Sequence, residues 1–286
     1  MQKLRAHLHW WILGVIFATT AFVWYAVAAE DRGGKLTVAF LDVGQGDAIF
    51  IESPTGSQIL IDGGPDKSVL RQLGKMMPFY DRTIDVLIVT NPDKDHFAGF
   101  LDVLRTYKVG AVMEPGTVGA SAEYKAFGEE VAREPAVTLL ARRGEIVQLG
   151  GGAVLEILFP DRDVSGLNPN EGSVVAKLTY GATSFLLTGD TTEAVENYLA
   201  QIDGKQLDVD VLKTGHHGSK TSTGEALLGF ASPIFAVISA GKDNRYGHPH
   251  AEVLERLAQF EVPVLGTYEH GTVVFVSDGE TIQLRK

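Results

Sequence analysis

No cysteine occurs in the 286 residues. Thiolate metal ligands and cysteine nucleophiles are therefore excluded, and any ion must be held by imidazoles and carboxylates. The absence is compatible with export, which permits disulfides without requiring them. Internal repeats and low-complexity tracts are missing as well. Basic residues are scarce. Of the 25 Lys and Arg, Lys3, Arg5, Arg32 and Lys35 precede residue 36, as do Glu30 and Asp31 among the 36 acidic residues, so the remainder keeps 21 basic against 34 acidic groups, a net charge of −13. Such a surface repels polyanions, and a nucleic-acid substrate would need a local basic groove or a bound metal.

What is present begins with an apolar run. Lys3 and Arg5 precede WWILGVIFATTAFVWYAVAA at 10–29, which carries no formal charge and is followed by Glu30 and Asp31. About 20 residues suffice for one helical span of a bilayer. Ala26-Val27-Ala28 offers a signal-peptidase pattern, but the run exceeds the ~7–15 residues of a usual signal core. Residues 1–29 are therefore read as an uncleaved anchor in preference to a signal peptide. The basic flank lies on the cytoplasmic side and the rest outside. Localisation follows as a single-pass cell-membrane protein with an extracytoplasmic body, or a secreted one if the segment is cleaved. The membrane is then a partner through this helix, and no protein partner is inferred.

DRGGK closes a short linker, 30–35, and the remaining 36–286 read as one domain whose core draws on a 45% hydrophobic composition. KLTVAFLDVGQGDAIFIES and SQILIDGG predict three strands joined by glycine turns. A helix-like segment at 66–77, the strand IDVLIVT and a helix from about His96 to Tyr107 follow. The middle holds a helical stretch near 121–133 and short strands, among them AVLEILF, SVVAKLTY and TSFLLTGD, with a hairpin turning on Gly181-Ala182. Helices at 191–201, 222–231 and 250–259 alternate with strands LDVDVLKTG and IFAVISAG, and strands at 262–265, 272–276 and 281–284 end the chain. This order implies two mixed sheets with helices outside.

Four polar clusters share one kind of position, the loop after an apolar strand: Asp62, Asn91 to His96, Asp190, and His216-His217. In layered α/β folds such strand ends converge on one rim. Each alone reads as a turn or helix cap. Together they supply the oxygen and nitrogen donors that divalent cations take when thiolates are absent.

The segments LDVGQGDA (41–48), LIDGG (60–64), TNPDKDHFAG (90–99), NEGSVVAKLTYGATSFLLTGD (170–190), KTGHHGS (213–219) and NRYGHP (244–249) resemble the metallo-β-lactamase fold superfamily. More narrowly, they resemble the extracytoplasmic hydrolase domain of DNA-uptake channel proteins of the ComEC type. The resemblance implies a four-layer αββα sandwich behind the N-terminal helix, with one or two divalent ions at one edge of the sheets. Zn²⁺ and Mn²⁺ are the first choices and Mg²⁺ a further option. It places Asp95 and His96 on one ion, Asp190 between two, and Asp93 on the other. His216 or His217 supplies a further ligand, His216 being preferred. Asp95 and His248 are the candidate catalytic residues, His248 as a proton donor. Asn170 and Ser173 are candidates for a substrate oxyanion, and Ser219 and Lys220 for a phosphate. Asp42, Asp47 and Asp62 are expected to organise loops or to stand behind the ligands. Asn91 departs from the superfamily pattern H-x-H-x-D-H at its first histidine. An amide oxygen is a poor zinc donor, so the two half-sites are expected to be unequal.

The reaction expected is hydrolysis of a phosphodiester, including DNA, by metal-activated water. Two alternatives stand beside it: a membrane-tethered metal-binding domain with little or no turnover, and a hydrolase of a carboxylic ester, lactone or β-lactam.

Overall fold

The computed structural model describes residues 2–30 and 32–285, with the side chains of 7 and 9–25 in its first helix. That helix, α1 (Gln2–Glu30), exposes every described side chain, including Trp10, Trp11 and Trp24. It therefore buries no described apolar group against the domain. Among the described residues no helix is long and apolar enough to cross a membrane. The flank of the expected anchor at Lys3 and Arg5, and the Ala26-Val27-Ala28 pattern, lie outside the described side chains.

The domain starts with β1 (Leu36–Phe40), β2 (Ile49–Glu52) and β3 (Gln58–Ile61), then α2 (Ser68–Met76), β4 (Thr83–Ile88), α3 (Lys94–Phe97) and α4 (Phe100–Thr106). β5 (Lys108–Glu114), α5 (Ala122–Val131) and β6 (Val137–Leu140) complete the first half. The second half runs β7 (Ile146–Gly150), β8 (Ala153–Phe159), β9 (Val175–Tyr180), β10 (Thr183–Leu187), α6 (Glu193–Asp203), β11 (Val211–Lys213), α7 (Glu225–Ala231), β12 (Phe235–Ile238), α8 (Ala251–Gln259) and β13 (Val264–Gly266). A short α9 (Thr267–His270), β14 (Val273–Ser277) and β15 (Ile282–Arg285) follow.

Two sheets form. One has the order β15-β14-β1-β2-β3-β4-β5-β6 and the other β13-β12-β11-β10-β9-β8-β7. Three apolar clusters show how they stack. Val38, Phe40, Ile51 and Ile61 of the first sheet meet Leu155, Leu178, Phe185 and Val211 of the second. The opposite face of the first sheet, with Phe50, Leu60 and Leu87, packs on Val69, Phe100 and Phe127 of α2, α4 and α5. The opposite face of the second, with Leu186, Leu212 and Ala236, packs on Leu199, Leu228 and Leu257 of α6, α7 and α8. The result is a helix–sheet–sheet–helix stack. Covering both faces explains why these strands read as unbroken apolar runs instead of alternating.

Two sequence expectations need correction. β5 was not anticipated, because its Lys108, Gly110 and Glu114 dilute the apolar signal, yet it pairs in parallel with both β4 and β6. The single helix expected at 96–107 is two. A Cβ at Gly99, between them, would collide with the Gly63 and Asp66 carbonyls, so the chain bends there to let backbone pass backbone.

The strands β3, β4, β10, β11 and β12 lie in parallel stretches of their sheets and end on the same rim. Phe275, between the sheets, makes edge or tilted contacts with Phe40, Phe185 and Phe235 at 5.8–6.2 Å. Phe275→Ala is expected to cost about 3–5 kcal/mol in denaturant unfolding. Val137→Thr, on the exposed edge strand β6, should change stability by less than about 0.5 kcal/mol.

Candidate metal centre

The rim gathers its side chains from five strand ends. After β3, Asp62 sits at φ +59° and is buried. It accepts hydrogen bonds from Thr90 N (2.8 Å), Thr90 Oγ1 (2.5 Å) and His96 Nδ1 (2.8 Å). An ionised carboxylate can only accept, so the His96 proton stands on Nδ1 and Nε2 is left with a lone pair. On the other side, His217 Nδ1 donates to the Ser239 carbonyl at 2.9 Å, which fixes the same tautomer. Both rings are thus oriented from behind, as metal-binding histidines are.

Their free edges converge. His96 Nε2 lies 3.0 Å from Asp190 Oδ2, and His217 Nε2 lies 3.5 Å from Asp190 Oδ1 and 3.4 Å from Asp95 Oδ2. These spacings match the edges of a tetrahedron around an ion with bonds of about 2.1 Å. His96 Nε2, His217 Nε2 and Asp190 Oδ1 are buried without a hydrogen-bond partner. Buried polar atoms are rarely orphaned, and a cation is the partner this trio fits. His96, Asp190, His217 and half-exposed Asp95 form this inner set.

The backbone is bent to make it. His216 (φ +46°) and His217 (φ +55°) both occupy the left-handed region, which costs an L-residue roughly 1–2 kcal/mol each. The twist sends the two imidazoles to different places. His217 goes inward, while His216 Nε2 stays 3.9 Å from Asp190 Oδ2 with its side chain 27% exposed. The preference for His216 over His217 is therefore reversed for the inner set. His216 joins Asp93 at a cleft of about 130 Å³, lined also by Gln45, Asp95, His217, Tyr246 and His248. Asp93, His216 and Asp190 Oδ2, which also lies against His96, are the rudiment of a second, outer set.

Asn91 completes neither. Its Oδ1 accepts from Asp93 N (2.8 Å) and its Nδ2 donates to Asn170 Oδ1 (2.7 Å), in a fully buried position. The amide shapes the loop.

Asp47 belongs to the same buried cluster of possible donors as His96, Asp190 and His217. It nevertheless approaches the Nδ1 edges of the two rings, at 3.8 Å from His96 and 3.4 Å from His217. Those edges face away from Asp190. Its own partner is Lys213 Nζ at 2.6 Å, a fully buried ammonium that also donates to the carbonyls of Gly189 and Thr214. No role was assigned to Lys213 from the sequence. The available signal was a lysine at the end of an apolar strand, DVLK. Asp47 itself is placed by Gly46, where a Cβ would collide with the Asp95 carbonyl. That close approach is the reason for a glycine in LDVGQGDA.

Other candidates have structural work. Ser173 is buried, donates to Thr90 O (3.2 Å) and accepts from Asp190 N (3.0 Å). Ser219 is buried against Thr221. Neither faces the cleft, which corrects their assignment to substrate. Asn170 is partly spent on Asn91. Lys220 is exposed, and its ammonium forms no ion pair among the described residues. Asp42 accepts from Gly44 N in its own loop.

Electrostatics follow from burial. Burial lowers the His96 and His217 pKa values, but Asp190 with Asp62 outweighs it at His96, holding it well above 6.5, and Asp190 with Asp47 brings His217 to about 10. Asp47 is brought to about 2 against its burial by Lys213 and His217. Burial raises Asp93, whereas Asp95 is lowered against burial by the adjacent His217 and His96. His248 is lowered to about 4 by burial and by His217 and His216. It is neutral at pH 7 and a weak base, so the expected donor role loses its support.

These features define a class. Residues 41–242 match the metallo-β-lactamase superfamily, and the chain belongs to it. It is 32% identical over 283 residues to ComE operon protein 3 of Bacillus subtilis, covering 92% of this chain and 36% of that one. It is 34% identical over 238 residues to Recombination protein 2 of Haemophilus influenzae, covering 82% and 28%. The chain thus spans about a third of the length of these relatives, within the ComEC-like branch. The metallo-β-lactamase fold protein YhfI of Bacillus subtilis superposes with a TM-score of 0.53 at 11% identity, over 80% of this chain and 96% of that one. That likeness is one of fold alone.

Two expectations test the centre. With both imidazoles neutral, buried Asp47, Asp62 and Asp190 face only Lys213, a deficit that one divalent ion fills. Without the ion, protons on His96 and His217 fill it. The stabilisation from a raised histidine pKa is complete below 6.5 and lost as pH rises through about 10. The Tm of chelated protein should therefore fall between pH 7 and 10 much more than that of ion-loaded protein. Ion binding at pH 7 should release about two protons, read by calorimetry in two buffers; release of none would show the imidazoles already neutral. Second, Asn91→His should add a zinc-binding event at Asp93 and His216. Two tight zinc ions already bound by the wild type would show that the outer set needs no imidazole there.

Proposed function

We propose that this chain is an extracytoplasmic metal-dependent phosphodiesterase, favouring the nucleic-acid backbone, tethered to the cell membrane by α1. The observation that carries the hydrolytic reading is the trio of orphaned, buried donors at His96, His217 and Asp190 beside an open cleft. The nucleic-acid preference is supported by relatives named for competence and recombination, though the chain corresponds to only part of each. The location is supported by the apolar run at 10–29 and by the exposure of its described side chains, 10–25, in α1.

His96, His217, Asp190 and Asp95 would hold a divalent ion, which would supply polarisation of a phosphoryl oxygen and a lowered pKa for bound water. Everything else falls to the chain. Asp62 and the Ser239 carbonyl keep both imidazoles in the ligating tautomer. Asp95, ionised and at the edge of the cleft, accepts a proton from water or passes it outward. Neutral His248, in the wall of the cleft, can orient water or substrate by hydrogen bonding. Lys220, three residues after His217, and Lys242, next to the Gly241 that binds Gln45, are exposed and would counter the substrate's charge on an otherwise acidic body. Asn91's hydrogen bonds favour a second reading, a scaffold that binds one ion without turnover.

The test uses the full chain, stripped and reloaded with Mn²⁺, Mg²⁺ or Zn²⁺, against DNA, bis(p-nitrophenyl) phosphate and a β-lactam. Phosphodiester cleavage is expected with Mn²⁺ and should drop at least about 100-fold in His217→Ala or Asp190→Ala, less in His216→Ala. Ion binding without cleavage of any substrate would put the scaffold reading first, and turnover of the β-lactam alone would replace phosphodiester by acyl chemistry.

A further inference from the structure

The end of the domain opposite the metal rim carries a basic patch on its first sheet. Two shallow depressions, of about 500 and 390 Å³, adjoin there and share Arg32. Arg82 and Lys108 line the first, and Lys35 and Arg285 the second. The two acids among their walls are engaged. Glu52 pairs with Arg32 at 3.0 Å, and Asp81 accepts from Thr83 and from Gln58 Nε2. Lys35, Arg82, Lys108 and Arg285 are exposed, and among the described residues none of these four forms an ion pair. Beside them Phe79 is 85% exposed and Tyr80 56%, in the loop between α2 and β4. A domain of net charge −13 therefore has, at this end, Lys35, Arg82 and Lys108 without ion pairs among the described residues, Arg285 a few residues along the edge strand β15, and two exposed aromatic rings, beside the turn of Asp278 and Glu280, where Asp278 accepts from Thr281 N and Glu280 N.

This end is also where α1 joins. Only residues 31–35 separate α1 from β1, a reach of at most about 18 Å. The joint is pinned, since Lys35 N donates to Arg32 O at 3.1 Å and Tyr180 Oη donates to Gly34 O at 2.6 Å. A bilayer that holds α1 therefore lies within that reach of this end.

We infer that the basic end docks on the anionic headgroups of the bilayer that holds α1, with Phe79 and Tyr80 at the interface, and so points the metal rim away from the membrane. Cations near an anionic surface strengthen association by about fivefold each, and aromatic rings settle at the headgroup level. β4 measures the consequence. It begins at Thr83, in the basic end, and leads to Asn91 at the metal loop, roughly 25 Å away at ~3.3 Å per residue. Headgroup phosphodiesters of the same bilayer are out of reach of the centre, and the substrate arrives from the aqueous side. The inference rests on the reading of α1 as an anchor.

The natural absence of cysteine allows one label at a time. Full chains carrying Gln283→Cys, at the basic end, or Lys242→Cys, at the rim, are labelled with a fluorophore. They are reconstituted in vesicles of phosphatidylcholine alone or in equal parts with phosphatidylglycerol, each doped with a headgroup-attached quencher. The label at 283 should be quenched several-fold more than that at 242. The difference should grow with phosphatidylglycerol, and shrink with salt or with Arg82→Glu combined with Lys108→Glu. Equal quenching at the two positions overturns the docked orientation, and quenching indifferent to phosphatidylglycerol and to salt overturns the anionic partner. The salt series uses the unaltered basic end, so a folding defect in the charge-reversed chain does not decide the outcome. Flotation separates the two readings: chains that do not float with vesicles overturn the anchor and the docking surface together, whereas floating chains with equal quenching overturn the surface alone.

Discussion

The rim depends on one electrostatic constraint, an excess of buried negative charge. Asp47, Asp62 and Asp190 are each nearly inaccessible, and Lys213 is the buried ammonium that answers them. A low-dielectric interior does not tolerate such an excess, so a cation or protons must be taken up at the point where the carboxylates converge. The convergence is at the free edges of His96 and His217. Lys213 holds Asp47 against the backs of these rings, and the charge left over accumulates at their fronts. The site is selective for cations because of what is buried behind it as much as because of the ligands themselves.

The asymmetry of the centre has a similarly local cause. The inner set is closed by two imidazoles whose tautomers are fixed by a carboxylate and a carbonyl. The outer set has His216, Asp93 and one oxygen of Asp190, but the position that would complete it is Asn91. Its amide is consumed by Asp93 N and Asn170 Oδ1. The loop gains rigidity from the residue that the second ion loses as a ligand.

Parallel strands give the molecule its polarity. Their C-terminal ends carry Asp62, Asn91 to His96, Asp190 and the histidine pair, while their N-terminal ends and the chain start carry Arg82, Lys108 and Lys35. In the first sheet the donor loop and the cations Arg82 and Lys108 therefore stand at opposite ends, although in sequence Arg82 and Asn91 are only a strand apart.

Much of the centre is legible in the residues alone. The absence of cysteine restricts the donors to nitrogen and oxygen. Apolar runs ending in Asp62, Asp93 to His96, Asp190 and His216-His217 mark a rim, because a polar cluster after a buried strand has little place to go but the sheet's edge. Asn91 is visible as a missing imidazole. Tertiary structure decided what local pattern could not. The left-handed backbone at 216 and 217 selected which imidazole points inward. The contacts of Asp62 and Ser239 set which ring nitrogen is free. Packing buried Ser173 and Ser219, and brought Lys213 to Asp47 across 166 positions of sequence. Side-chain type is written residue by residue, whereas the direction of a lone pair depends on partners that only folding brings within hydrogen-bond reach.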